Sequence, residues 1–296
     1  MGSDAAAEES AGSSRTGEKA QKSYRRILSQ ELEKGVLEID RPNVGIALSG
    51  LSAGLDIGFG PLLMAMVLST PDGGLSPLVR EFLVASAYAI GFVFVVIGRS
   101  DLFTEHTTLA LIPVLDREAS LADLARLWGI IYGANLLGAV AFAALAVFVG
   151  PAYDVVHTSA FAELAAPLVR FSWWATLLAA VLAGWLMGLL SWLVTASRNT
   201  VGAIIMTWLV AMVIGYGHLP HSIAGTIEVL FGVFSGHVSV AAYLRFLVLS
   251  TIGNVVGGTV FVGLLKYGHA TQGGKEEGSK PRNPAGSDGV GTDGAD

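Results

Sequence analysis

The sequence contains no cysteine among its 296 residues. That excludes disulfides, thiol catalysis and cysteine-held zinc or iron–sulfur centres. Charge is scarce as well: Lys, Arg, Asp and Glu make up 14% of the chain, where a soluble domain carries about 25%. What charge there is gathers in residues 1–41 and 266–296, and the net value of −6 leaves no basic surface for nucleic acid. There is no H-E-x-x-H pattern and the six histidines are scattered, so neither a metal centre nor a cofactor is expected, and a membrane enzyme is disfavoured. No apolar run follows Met1, and no cleavable leader is expected.

Apolar residues are what the chain has in quantity, at 52% of positions and a mean hydropathy of +0.60. Runs of about 20 apolar residues, enough to cross a bilayer, fall at 44–69, 80–115, 124–150, 171–196, 201–236 and 243–267. The pattern predicts an all-α polytopic membrane protein with six transmembrane helices. Residues 1–22 and 269–296 lack apolar periodicity and are expected to be disordered tails. Residues 23–41 place Tyr24, Ile27, Leu28, Leu32, Val36 and Ile39 near helical spacing, with Arg25, Arg26, Glu31 and Lys34 between them. This is an amphipathic helix that lies at the membrane interface or packs over the mouth of the protein. Residues 42–268 are expected to form one six-span domain. Lys and Arg concentrate in the N-terminal tail, after spans two and four, and after span six, whereas Arg80, Arg170 and Arg245 fall on the other face. That bias puts both termini in the cytoplasm and the protein in the inner (plasma) membrane.

Spans two and five carry polar interruptions, at Gly98–His106 and Gly217–Gly225. An unpaired amide in hydrocarbon costs several kcal/mol, so non-helical backbone at that depth is expected only inside protein or beside a wet cavity. The first interruption contains Asp101, Leu102, Phe103 and Thr104, and the second contains His221 and Ser222. Around them the chain repeats itself. Asn135-Leu136-Leu137-Gly138 in span three returns as Asn254-Val255-Val256-Gly257 in span six, and Ala53-Gly54 in span one as Ala183-Gly184 in span four. Three spans per repeat is an odd number, so the halves must be inverted. Paired interruptions in such halves point to a translocation route at the midplane.

His221 precedes a half-helix whose free amides favour an anion, and an imidazole there can hold or release a proton near neutral pH. Thr104 offers a hydroxyl at the matching place in the first half. Phe92 and either Val213 or Ile214 lie before the two interruptions, where apolar side chains would exclude hydrated ions. Asp56 and Glu228 are carboxylates inside spans, expected to pair with each other, with Arg99 or with a histidine, or to relay protons. Glu105 and His106 follow Thr104, one of them facing the pore.

These residues resemble the formate/nitrite transporter family. Asp101-Leu102-Phe103-Thr104 is similar to the motif of that family's broken second helix, and His221-Ser222-Ile223-Ala224 to the motif around its central histidine. Tyr132-Gly133-Ala134-Asn135 and Gly253-Asn254-Val255-Val256-Gly257-Gly258 resemble its third and sixth helices. The resemblance covers about residues 40–268. It implies an aquaporin-like protomer, a homopentamer in a lipid bilayer, and passage of small monovalent anions such as formate, nitrite or hydrosulfide, by a channel or linked to protons, with His221 central. The alternative is a proton-coupled carrier of another small solute that uses the intramembrane carboxylates. The chain departs from the family pattern at Gly225 and Gly184, each aligned with a family asparagine, and at the vestibule lysine, near which only Arg170 stands.

Overall fold

A chain this apolar must satisfy every backbone amide within its own elements, which in a bilayer leaves helices or closed barrels. In this computed structural model, which describes residues 22–71 and 74–272, helices are used throughout and no strand occurs among the described residues. In chain order the helices are α1 (Tyr24–Asp40), α2 (Asn43–Asp56), α3 (Phe59–Ser69), α4 (Pro77–Gly98), α5 (Phe103–Leu109), α6 (Leu111–Leu115), α7 (Leu121–Ala152), α8 (Thr158–Val169), α9 (Trp173–Ala196), α10 (Thr200–Tyr216), α11 (Ala224–Phe234) and α12 (Val240–Val256). A π-helical turn pair, Gly257–Leu264, then leads into α13 (Leu265–Gln272). Five segments are long and apolar enough to cross a membrane: Asn43–Ser69, α4, α7, α9 and Val240–Gln272. Helices α10 and α11 are apolar but shorter, at 17 and 11 residues. Most of the expected disordered tails lie outside the described residues; at the C-terminal boundary, residues 269–272 are helical.

Helix starts are spelled locally. Ser76 accepts from the Val79 amide with Pro77 in the first turn, and Ser120 and Asp123 form a reciprocal capping box. Asn199 and Ser239 cap α10 and α12 in the same way.

Lipid supplies no hydrophobic drive between helices, so close backbone approach at small residues holds them together. A Cβ on Gly54 of α2 would lie 2.2 Å from the Asn135 carbonyl oxygen of α7, and one on Gly138 would lie 2.6 Å from that of Leu51. The same lock joins α9 to α12. There a Cβ on Gly184 would lie 2.2 Å from the Asn254 carbonyl oxygen, and one on Gly257 the same distance from that of Val181. Gly54 and Gly184 are thus occupied by helix packing rather than by open volume.

Helix α1 lies across one end of the molecule, called here the α1 side. It buries Ile27, Glu31, Gly35 and Ile39 against protein. Glu31 is fully buried; it accepts from the Ser191 hydroxyl at 2.9 Å and from the Thr195 hydroxyl, both on the last turns of α9. Lys266 donates to the Tyr24 hydroxyl at 2.7 Å, and the rings of Tyr24 and His269 are 4.2 Å apart. Both ends of the described chain therefore meet on this side. The opposite end carries α8, in the stretch between the apolar runs 124–150 and 171–196. Twelve residues with an internal Pro167 are too short to register as a span, yet Phe161, Leu164 and Leu168 are buried, with Phe161 against Phe231 of α11 at 4.9 Å.

Candidate functional site

Between α4 and α5, residues 99–102 leave the helical path, with Arg99 in the left-handed region at φ 58°. Their backbone is not abandoned. Asn135 accepts from the Phe103 amide at 2.8 Å and donates to the carbonyls of Asp101 (2.9 Å) and Gly50 (2.7 Å). Ser49 accepts from the Asp101 amide at 3.0 Å. Between α10 and α11 the arrangement recurs. Asn254 accepts from the Ser222 amide at 2.8 Å and donates to the carbonyls of Pro220 (2.9 Å) and Ala180 (2.8 Å). Each buried carboxamide thus fills three hydrogen-bonding valences with protein backbone, and Pro220 brings no amide to satisfy.

The two connections deliver their polar side chains to one place. Thr104 Oγ1 and His221 Nε2 are 2.7 Å apart, and both residues are fully buried. His221 Nδ1 accepts from the amides of Ile223 (3.2 Å) and Ala224 (3.1 Å), at the start of α11. A nitrogen accepting from N–H groups carries no proton, so the ring proton sits on Nε2 and is donated to Thr104 Oγ1. The Thr104 hydroxyl then keeps its own proton to donate elsewhere. Phe92 of α4 presents its ring edge-on to His221 at 5.1 Å, and Tyr88 lies against Phe92, tilted to it, at 5.1 Å. Phe92 and Ile214 are buried, whereas Val213 is largely exposed and lines an outer apolar groove. Leu102 and Phe103 are buried, Phe103 lying 4.7 Å from Tyr132.

One cavity lies at each end of the molecule, and neither is lined by Thr104, His221 or Phe92. The α1-side cavity, of about 430 Å³, is lined by Lys34, Glu38, Arg99, Asp101, Glu105 and His106. The opposite cavity, of about 320 Å³, is lined by Arg80, Glu81, Glu163, Arg170, Tyr216 and His218. The structure separates the two span carboxylates. Glu228 is buried in α11. Asp56 is half-buried, bonded to the exposed Ser52 at 2.9 Å, and lines neither cavity. Neither carboxylate forms an ion pair among the described residues, so the expected pairing with each other, with Arg99 or with a histidine is not seen.

Sequence reasoning missed three features. The burial of Glu31 could not be seen, because Ser191 and Thr195 are about 160 positions away. The π-helical segment turns the Gly258 carbonyl towards Thr108, which donates to it at 2.9 Å; the only hint was a glycine pair. Gly225 departs from the family pattern for a packing reason, since a Cβ there would meet the Phe246 ring at 2.6 Å.

Residues 25–268 match the model of the formate/nitrite transporter family. The chain belongs to that family. It is therefore a multi-pass membrane transport protein and not an enzyme. It is 28% identical over 240 residues to the inner membrane protein YfdC of Escherichia coli, covering 79% of this chain and 75% of that one. It is 30% identical over 241 residues to the nitrite transporter NirC of Salmonella typhimurium (77% and 84% covered). With a probable formate transporter of Methanothermobacter thermautotrophicus it shares 32% over 239 residues (75% and 87%). Among solved structures, a channel described as an FNT family ion channel superposes with a TM-score of 0.72 at 22% identity, over 81% of this chain and 97% of that one. A pentameric formate channel with formate bound gives 0.58 at 21%, over 76% and 96%. At these identities the two structures bear on the fold alone.

Proposed function

We propose that this protein passes small monovalent anions of the formate, nitrite or hydrosulfide kind across a membrane, along a route joining its two cavities past Thr104 and His221. The observation that carries the reading is the Thr104–His221 contact of 2.7 Å, sealed by the edge of Phe92. Taking a bare charge through an apolar constriction is prohibitive. The site offers a hydroxyl donor whose oxygen is already polarised by the imidazole N–H. An anion that reaches it can exchange water for that donor, or, having taken a proton from the aqueous solution at the mouth, cross as the neutral acid. Both mouths carry charges of both signs, Arg80 and Arg170 beside Glu81 and Glu163 at one and Lys34 and Arg99 beside Glu38, Asp101 and Glu105 at the other. Selection for an anion therefore rests on the Thr104–His221 centre rather than on the field of the entrances. Arg170 stands in the vestibule where the family resemblance leads one to look for a lysine.

In this reading α4 with α5 and α10 with α11 are two interrupted spans, which makes six, arranged as two inverted halves of three. The twin Asn135 and Asn254 clamps and the twin glycine locks support that arrangement. The functional unit is a homopentamer, as in the neighbour solved as a pentamer with formate bound, and the apolar flanks of the chain supply faces for it. The α1 side faces the cytoplasm of an inner membrane protein, since the basic loops and both ends of the described chain lie there. Residues 23–41 are a packed cover on that side, and 42–268 the transport domain.

Proteoliposome flux tests the proposal directly. Formate, nitrite and hydrosulfide uptake should fall at least about tenfold in His221→Ala, and clearly in Thr104→Val, which removes the hydroxyl at nearly constant volume. Wild-type rates in both variants would overturn the route. The buried Glu228, without an ion pair, favours a second reading as a proton-coupled carrier of another small solute. Loss of pH-dependent uptake in Glu228→Gln, with His221→Ala unaffected, would select it.

A further inference from the structure

We propose that Glu38, Asp101 and His106 form a binding site for a divalent transition-metal cation of the zinc class, which fastens α1 to the first non-helical connection. The three come from the last turn of α1, from residues 99–102 and from α5, and one ligand atom of each lies within 4.8 Å of the others. No spacing in the sequence brings them together.

The histidine makes this more than a cluster of acids. His106 Nδ1 lies 2.9 Å from the Leu102 carbonyl oxygen, which can only accept, so Nδ1 carries the proton. Nε2 then presents a lone pair. It is buried, has no hydrogen-bond partner, and lies 3.8 Å from Asp101 Oδ1. Two electron-rich atoms held face to face call for positive charge between them. A proton does this poorly, because 3.8 Å exceeds hydrogen-bond length. A metal about 2.1 Å from each atom joins ligands roughly 3.4 to 4.2 Å apart, for angles from tetrahedral to linear, which the His106–Asp101 pair meets as it stands and Glu38 meets after a side-chain shift of about 1 Å or less. A ring whose other N–H is fixed on a backbone carbonyl is also the usual support for a metal-binding histidine.

Charge and access agree. Arg41 donates to Asp101 Oδ2 at 2.8 Å and is paired with Glu38, so both carboxylates are oriented while Asp101 Oδ1 stays turned to His106. Glu38, Asp101 and Arg41 together carry one net negative charge. Lys34 is turned aside to the Thr195 hydroxyl at 2.7 Å. The α1-side cavity reaches all three ligands, with room for water to complete the coordination.

Titration of the full-length, tag-free protein with zinc, read by calorimetry, tests the site, and cobalt absorption bands report its geometry. One ion per chain is expected. His106→Gln and Asp101→Asn should each weaken binding at least about 100-fold, and Glu38→Gln about tenfold. Glu38→Gln changes only α1 and spares the connection itself, so it remains informative if the other two fold poorly; an unchanged thermal midpoint and elution volume certify it. His237→Ala and His269→Ala should bind as wild type. Absence of one-to-one binding in the wild type, or binding that survives all three ligand substitutions, would overturn the site. The readout is independent of transport, so its failure leaves the anion route untouched.

Discussion

The two buried carboxamides make equal and separable demands on the fold. In Asn135→Ala, the Phe103 amide and the Asp101 carbonyl lose the partner that holds them, while the Gly50 carbonyl keeps its own helical bond. In Asn254→Ala the corresponding losses are the Ser222 amide and the Pro220 carbonyl, with Ala180 protected by α9. A buried polar group left unsatisfied costs about 1–3 kcal/mol, so each variant should lose about 2–6 kcal/mol. For a domain of this size that corresponds to a fall in thermal midpoint of roughly 5–20 °C.

Scanning fluorimetry on detergent-purified protein reads the midpoint, and liposome flux reads the route. Both alanine variants should fall by similar amounts, because each breaks the same three-bond pattern. Asn135→Asp and Asn254→Asp sharpen the test. Each keeps an acceptor for the amide but turns a carboxylate oxygen towards two carbonyls, and is relieved only by taking up a proton. The aspartate variants should therefore be more stable at pH 5 than at pH 8, a trend the alanine variants lack. If one alanine variant melts as wild type while its counterpart collapses, the equivalence of the two clamps is wrong.

Gly54→Ala and Gly184→Ala should each destabilise by more than the usual 1–3 kcal/mol of overpacking, since the new methyl would sit 2.2 Å from a helix carbonyl. Gly133→Ala, with nothing within 4 Å, should gain about 0.5–1 kcal/mol from helix propensity in the same melting assay. Glu31→Leu should detach α1 from α9, by loss of the Ser191 and Thr195 bonds, and open residues 24–40 to protease without abolishing the fold. Nitrogen NMR of the His221 ring should report the Nε2–H tautomer, and a proton on Nδ1 would contradict the amide bonds drawn to it.

How much of this was legible depends on whether the demand was local. Membrane-length apolar runs are written in consecutive residues, and five of them stand as helices. A hydroxyl, an imidazole and two asparagines are conspicuous in such sequence because lipid penalises them. What the spelling did not contain was mutual placement. That Thr104 touches His221 depends on two connections 117 positions apart meeting. The burial of Glu31 was not legible, because its partners stand on α9. Helix α8 was missed because its partners, on α11 and α3, follow from the fold rather than from its own twelve residues. Asp56 stood out on hydropathy alone, yet its nearest partner is a serine one turn away.

The two connections share a scaffold but not a cargo. Asn135 and Asn254 hold their neighbours by the same bonds to within about 0.1 Å at every corresponding distance, so the backbone at the two places is under equal control. The side chains delivered by it differ: a hydroxyl from one half, an imidazole from the other. In the second half the imidazole lies back on its own amides, which fixes its tautomer and uses the positive end of α11 to hold a ring nitrogen rather than a solute. The hydroxyl proton still free to be donated is thereby that of the first half, at Thr104. On the route proposed above, neither half alone would offer a neutral, oriented donor, and the difference between them produces it.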